Sequence, residues 1–243
     1  MIQQFQFALR TQQEERVPQA WAYRLYSWLL EQLPPEMGDS MHAPGARPIT
    51  QHLHYSKEAQ SVLWTVNLLG EEVRTQAASS LRTVRHISLN DAELEAELLC
   101  EGPALSAVQL IQLGREEQQT CTNLRLLSPC AFKQAGRYAV FPQENLLLQS
   151  LVSHWNDTFP EFPLSDPDAL DALLRGIHIV GYDLHTVRYP LKGTRIPGAV
   201  GRITLESRLP LPLQELWNTL LAFAPYGGVG IKTTLGMGGV CLK

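Results

Sequence analysis

Thirteen residues, Gly227 to Gly239, hold six of the chain's 17 glycines in the run GGVGIKTTLGMGG. Glycine at this density excludes a regular helix or strand, because each one weakens both. What remains is a segment that turns tightly and lets its backbone come close to a neighbour or a ligand. Lys232, Thr233 and Thr234 sit at its centre, a cation and two hydroxyls suited to phosphate oxygens, and consecutive amides there can form an anion-binding concavity. A nucleotide P-loop needs GxxxxGK[ST] followed by a helix. Here Ile231 separates Gly230 from Lys232, and only a short strand's worth of sequence follows. A dinucleotide fingerprint fails on the same missing helix. Two readings stay open from the residues alone: an anion cradle, or a glycine-rich turn packed tightly between elements.

Periodicity organises the rest. Ile2 to Leu9 alternates apolar and polar, as a strand does. Beyond Pro18, apolar residues from Trp21 to Leu33 recur at three- and four-residue steps and stop at Pro34-Pro35, which predicts an amphipathic helix. Pro34 to Pro48 reads as a loop, Ile49–Tyr55 and Ser61–Leu69 as a hairpin, Glu71–Leu81 as a helix, and Val84–Leu113 as strands. The polar run GREEQQ at 114–119 is the expected boundary, giving domains of 1–116 and 117–243. The second half continues with a strand at Thr122–Ser128, a helix at Glu144–Trp155, and strands at Gly176–Tyr189 and Ala199–Ser207. A helix from Pro212 and a strand at Gly239–Leu242 complete it. Each half approximates strand, helix, two strands, helix, strand. The expected fold class is therefore α+β, with two tandem ferredoxin-like βαββαβ domains.

Bulk properties narrow the class of function. Net charge is −4, but residues 175–243 hold 8 Lys/Arg against 3 Asp/Glu, a basic final third compatible with a local polyanion site. No apolar run approaches the ~20 residues of a membrane helix, and MIQQFQFALR lacks the pattern of a signal peptide, so the expectation is a cytoplasmic protein without membrane association. Cys100, Cys121, Cys130 and Cys241 form no CxxC pair and read as buried reduced thiols. His52 and His54 would share one strand face without a Cys or carboxylate beside them, so no metal or cofactor is expected. His154 reads as a helix surface residue.

At the glycine-rich run the sequence resembles the CRISPR-associated endoribonucleases that cut precursor CRISPR RNA, within the repeat-associated RAMP superfamily. Their segment GφGxKTxxGφG stands here as GVGIKTTLGMG, Gly228 to Gly238. Two further stretches agree, SPCAFKQAGRYAVFPQENLLLQSLVSHWN at 128–156 and LKGTRIPGAVGRITL at 191–205. The resemblance implies paired ferredoxin-like domains with CRISPR repeat RNA across their faces and cleft. It also implies metal-independent cleavage in which the nucleotide's own 2′-OH attacks, leaving a 2′,3′-cyclic phosphate and a 5′-OH.

That reaction needs a base, an acid and positive charge at the phosphorane, and histidine serves as either proton carrier near neutrality. The family's catalytic histidine follows the first helix; of seven histidines, His42 fits. Tyr26 and Arg47 occupy the places of its helpers in some relatives, Arg47 for charge and Tyr26 for proton supply or sugar orientation. Tyr23 shares that helix, whose apolar face also needs aromatic filling. For RNA binding the candidates are Gly228, Gly230, Lys232, Thr233, Thr234, Gly236 and Gly238 of the loop, with Lys133, Arg137, Lys192 and Arg195. Other CRISPR effector subunits and a second copy of the chain are the remaining partner expectations. A non-cutting RNA-binding RAMP subunit, or a metabolic enzyme on the same fold, would share the loop; His42 is the feature that favours the nuclease.

Overall fold

The computed structural model describes residues 1–11, 16–34, 48–117 and 119–243. Strand β1 (Ile2–Thr11) is followed by helix α1 (Ala22–Glu31), then strands β2 (Ile49–Ser56) and β3 (Ser61–Leu69) and helix α2 (Glu71–Thr83). A hairpin of β4 (His86–Leu89) and β5 (Ala92–Glu101) closes the first half. The antiparallel order β2-β3-β1-β5-β4 is a ferredoxin-like sheet with one added edge strand. Phe5, Phe7 and Leu9 of β1 alternate into a core shared with Leu25 and Leu29 of α1, Trp64 of β3 and Leu81 of α2.

The second half repeats the plan. Strand β6 (Cys121–Cys130) leads to the hairpin β7 (Phe132–Gln134) and β8 (Arg137–Ala139), then helices α4 (Glu144–Thr158) and α5 (Pro167–Gly176). Strands β9 (Ile177–Leu191) and β10 (Thr194–Ser207), helix α6 (Leu211–Gly227) and strand β11 (Val240–Leu242) follow. The sheet order β11-β6-β10-β9 is again the ferredoxin-like one. Trp155, Phe159 and Phe223 fill its core with ring centroids 4.8 to 6.0 Å apart.

Two expectations are corrected and one helix is added. The stretch Val84–Leu113 is not all strand: Ala107–Glu116 is helix α3, and Gly114 to Glu116 of the expected polar break complete it. Ser106 caps that helix on the Gln109 amide, and the Gln109 side chain returns a bond to the Ser106 amide, a capping box readable in the sequence. Helix α5 was also unread, although Asp166 and Pro167 are suitable N-cap and first-turn residues. The cysteines are not uniformly buried; Cys100 and Cys121 are exposed.

Helix α3 packs on α6 through Gly114. A Cβ there would lie 2.2 Å from Thr219 Oγ1, 2.6 Å from the Thr219 amide nitrogen and 2.8 Å from the Glu215 carbonyl. Alanine would gain about 1 kcal/mol of helix propensity. The clash is with backbone, however, and overpacking costs about 1 to 3 kcal/mol plus helix displacement. Gly114→Ala should therefore lower the urea midpoint of unfolding; an unchanged or raised midpoint would refute this tight packing.

Candidate nucleic-acid interface

The glycine-rich run wraps the outer edge of β2. Alternate residues of a strand face opposite sides of its sheet, and both sides of β2 are engaged. Thr50 Oγ1 donates to the Tyr226 carbonyl, while Gln51 Nε2 donates to the Thr234 carbonyl at 3.0 Å and to the Ala22 carbonyl of α1 at 2.7 Å. Gln51 Oε1 accepts from the Trp64 indole at 2.9 Å, so this buried amide is satisfied on both ends. Asn67 of β3 adds a bond to the Pro225 carbonyl at 3.1 Å.

The run's own amides are largely engaged with protein. Gly228 donates to Ala224, Val229 to Gly238, Ile231 to Ala131 and Gly238 to Pro129. Gly230 donates to Ser150 Oγ at 2.7 Å and Gly239 to Ser128 Oγ at 2.9 Å. Gly236 and Gly238 have φ of 99° and 69°, where a side chain is strained, and a Cβ on Gly236 would lie 2.4 Å from Ala22 Cβ. Of the two readings open from the residues, tight packing accounts for the glycines Gly228, Gly230, Gly236 and Gly238. What the run offers a ligand is the exposed Lys232 side chain and the half-buried Thr234; Thr233 is buried. His154 is no surface residue: 3% exposed, its Nδ1 lies 3.1 Å from the Gly228 carbonyl, so helix α4 anchors the run from below.

The other candidates fall in separate places. Lys133 and Arg137 are exposed on the β7–β8 hairpin, and Lys192 and Arg195 at the β9–β10 turn. Tyr26 is half-buried against the first core, and burial raises its phenol pKa further above neutrality. His42 and Arg47 lie outside the described residues.

Between the halves lies a cleft of about 860 Å³. The segment 16–19 and β2 line one wall; β6, β9 and β10 line the other, with Arg16, His54, Lys57, Arg125 and His185 among the contributors and, among the described residues, no carboxylate. The Arg16 guanidinium stacks 4.3 Å over the Tyr55 ring. Arg125 stands in register opposite Arg202 on the neighbouring strand. Arg202 in turn stands opposite Asp183 on β9, a partner of opposite charge. The sequence reading did not reach Arg16, Lys57 or Arg125. The outward alternation along β6 marked Arg125 as surface, but only the tertiary pairing gathers the three.

Beneath this cleft His52 and His54 share a face of β2, ring centroids 5.5 Å apart. His52 is buried under Gly239, where a Cβ would lie 2.2 Å from its ring. Burial, and then the neighbouring His54, lower the His52 pKa to about 3; burial, and then Arg125, lower that of His54 to about 4. Among the described residues, Nε2 of His52 and Nδ1 of His54 have no hydrogen-bond partner, and no cluster of three metal-ligating side chains occurs.

The family described as CRISPR-associated endoribonuclease Cas6 matches residues 124–240. The CRISPR-associated endoribonuclease Cas6 of Streptococcus thermophilus is 30% identical over 223 residues, 91% of each chain. A solved Cas6 product complex superposes with a TM-score of 0.81 at 23% identity, covering 100% of both chains. Thermus thermophilus Cas6 superposes with a TM-score of 0.76 at 23% identity, covering 100% of this chain and 98% of its own.

The buried histidine pair should weaken the fold in acid. Both folded pKa values lie below the ordinary histidine value of about 6.5, so the unfolded chain binds more protons below that pH. Stability is fully present above pH 6.5 and falls as pH drops toward 4, by up to about 1.4 kcal/mol per pH unit for each histidine. Urea unfolding at pH 7 and pH 5 should show this loss, and His52→Gln should remove about half of the slope. An unaltered slope in His52→Gln would show that this pair does not weaken the fold in acid.

Proposed function

Because the chain belongs to the family of CRISPR-associated endoribonuclease Cas6, we propose that it processes precursor CRISPR transcripts by cutting once within each repeat. The observation that carries this reading is 30% identity to a named endoribonuclease across 91% of both chains. Two features of the surface support it: a cleft lined by Arg16, Lys57 and Arg125, and the exposed hairpin cations Lys133, Arg137, Lys192 and Arg195 with Lys232. Phosphate contacts of this kind position RNA without reading its sequence.

In the proposed reaction His42 takes the proton of the nucleotide's 2′-OH, whose oxygen attacks the adjacent phosphorus. The bond to the 5′-oxygen breaks, that oxygen takes a proton from the Tyr26 hydroxyl or from water, and the products are a 2′,3′-cyclic phosphate and a 5′-OH. Arg47 supplies charge to the phosphorane through its fixed donors. Tyr26, protonated at neutral pH as any tyrosine is and more firmly so for its burial, supplies a hydrogen bond to the sugar or the leaving oxygen. The chemistry uses no metal. Residues 1–116 carry the catalytic loop, and 117–243 carry the hairpins that hold the RNA.

No described helix is long and apolar enough to cross a membrane, and a cytoplasmic location is part of the proposal. Association with other effector subunits, or with a second copy, belongs to it as well and is read from the mass in solution with and without RNA.

Repeat RNA incubated with the protein in EDTA should give one cut. His42→Ala should abolish it, with a loss of at least about 100-fold in rate, as expected for a proton carrier. A single 2′-deoxy substitution at the scissile nucleotide should abolish it too. Binding without any cut by the wild type would turn the reading to an RNA-holding subunit; cleavage that survives the deoxy substitution would overturn the 2′-OH mechanism.

A further inference from the structure

A third, small apolar cluster lies where the two halves meet, apart from both main cores. Ala131, Tyr189, Leu191, Ile196 and Met237 are its buried members; Tyr23 from α1, and Ile231 and Leu235 from the glycine-rich run, pack against it. Tyr189 hydroxyl donates to the Leu235 carbonyl at 2.6 Å, which fixes the end of β9 to that run. The β9–β10 turn is short and closed, with Thr194 Oγ1 donating to the Leu191 carbonyl at 2.8 Å. It therefore presents Lys192 at a set place, and that place is over the first turn of α1. The Lys192 ammonium lies 4.9 Å from the centroid of the Tyr23 ring. Lys192 is exposed and makes no ion pair among the described residues.

A lysine carries a long stem that loses rotamer freedom when its ammonium docks on a phosphate. An aromatic face beneath it attracts the charge and orders the stem beforehand, without neutralising it as a carboxylate would. We infer that Tyr23 is a positioning residue for Lys192: its ring holds the Lys192 ammonium against α1, where that charge meets a phosphate of the bound RNA. The inference rests on the RNA-processing reading above and assigns Tyr23 a role for its ring rather than for its hydroxyl. Lys232, flanked by Ile231 and Leu235 on the same cluster, is exposed beside this site.

The test measures the affinity of the full chain for repeat RNA over a series of salt concentrations, in a His42→Ala background so that nothing is cut. Lys192→Met should weaken binding and reduce the salt slope by about one charge. Tyr23→Leu should weaken binding about 2- to 5-fold, the scale of an exposed cation–π contact, and Tyr23→Phe should bind like the parent. The decisive result is the double variant: in the Lys192→Met background, Tyr23→Leu should cost nothing further. A merely structural loss would persist in that background, so additive effects overturn the inference. It is also overturned if Tyr23→Phe binds as weakly as Tyr23→Leu. Wild-type cleavage with these outcomes would leave the RNA-processing reading standing and this one fallen; absence of any repeat-RNA binding would remove both.

Discussion

Two buried amide side chains, Gln51 and Asn67, and the Thr50 hydroxyl tie the first sheet to a run of carbonyls 158 to 183 residues further along the chain. Everything at the interface follows from that attachment. An unpaired strand edge is a template for association with other chains, and β2 is the outer strand of its sheet. The glycine-rich run covers it, so the same contact that protects the edge also joins the halves. Because Gln51 bonds Ala22 as well as Thr234, the start of α1 and the run are held by one side chain. A shift of either moves the other.

The attachment explains why the run must be glycine at so many positions. The Ala131 carbonyl, the Ala22 methyl of α1 and the His52 ring of β2 approach it closely, and a Cβ would lie 2.3 Å from the Ala131 carbonyl at Gly230 or 2.2 Å from the His52 ring at Gly239. Space of that kind admits neither a side chain nor water, which leaves the internal hydrogen bonds as the only partners its buried amides can have. The run is therefore rigid, and Lys232 projects from a fixed base. Charge on a rigid base is better placed for phosphate than charge on a loop that must be ordered at binding.

Much of the fold was legible because the two periodicities differ. Strand β1 shows alternation, and helices α1, α2, α4 and α6 show three-to-four spacing, over enough residues to separate the cases. Helix α3 was missed although Ser106 and Gln109 signal its start, because Gly114 and the charges after it resemble a break; the glycine is there to meet Thr219, a contact no local pattern records. The same limit applies to the interface. The glycine-rich run is local in sequence, and each pair of hairpin cations falls within one short turn, so both were within reach of local pattern. Arg16, Lys57 and Arg125 belong to three segments, and only the packing of β2 against β6 places them on one cleft. His154 looked like a surface residue because its role is to hold a carbonyl 74 residues away.

The covering of β2 also fixes an order of events during synthesis. Strand β2 is made at residues 49 to 56, but the chain that closes over it ends at Gly239. At ordinary translation rates roughly 10 to 40 s separate the two. Through that interval the first sheet can be complete in its core and still present a bare edge. The ribosome therefore hands over a first half whose edge is protected only when a segment made more than a hundred residues later arrives.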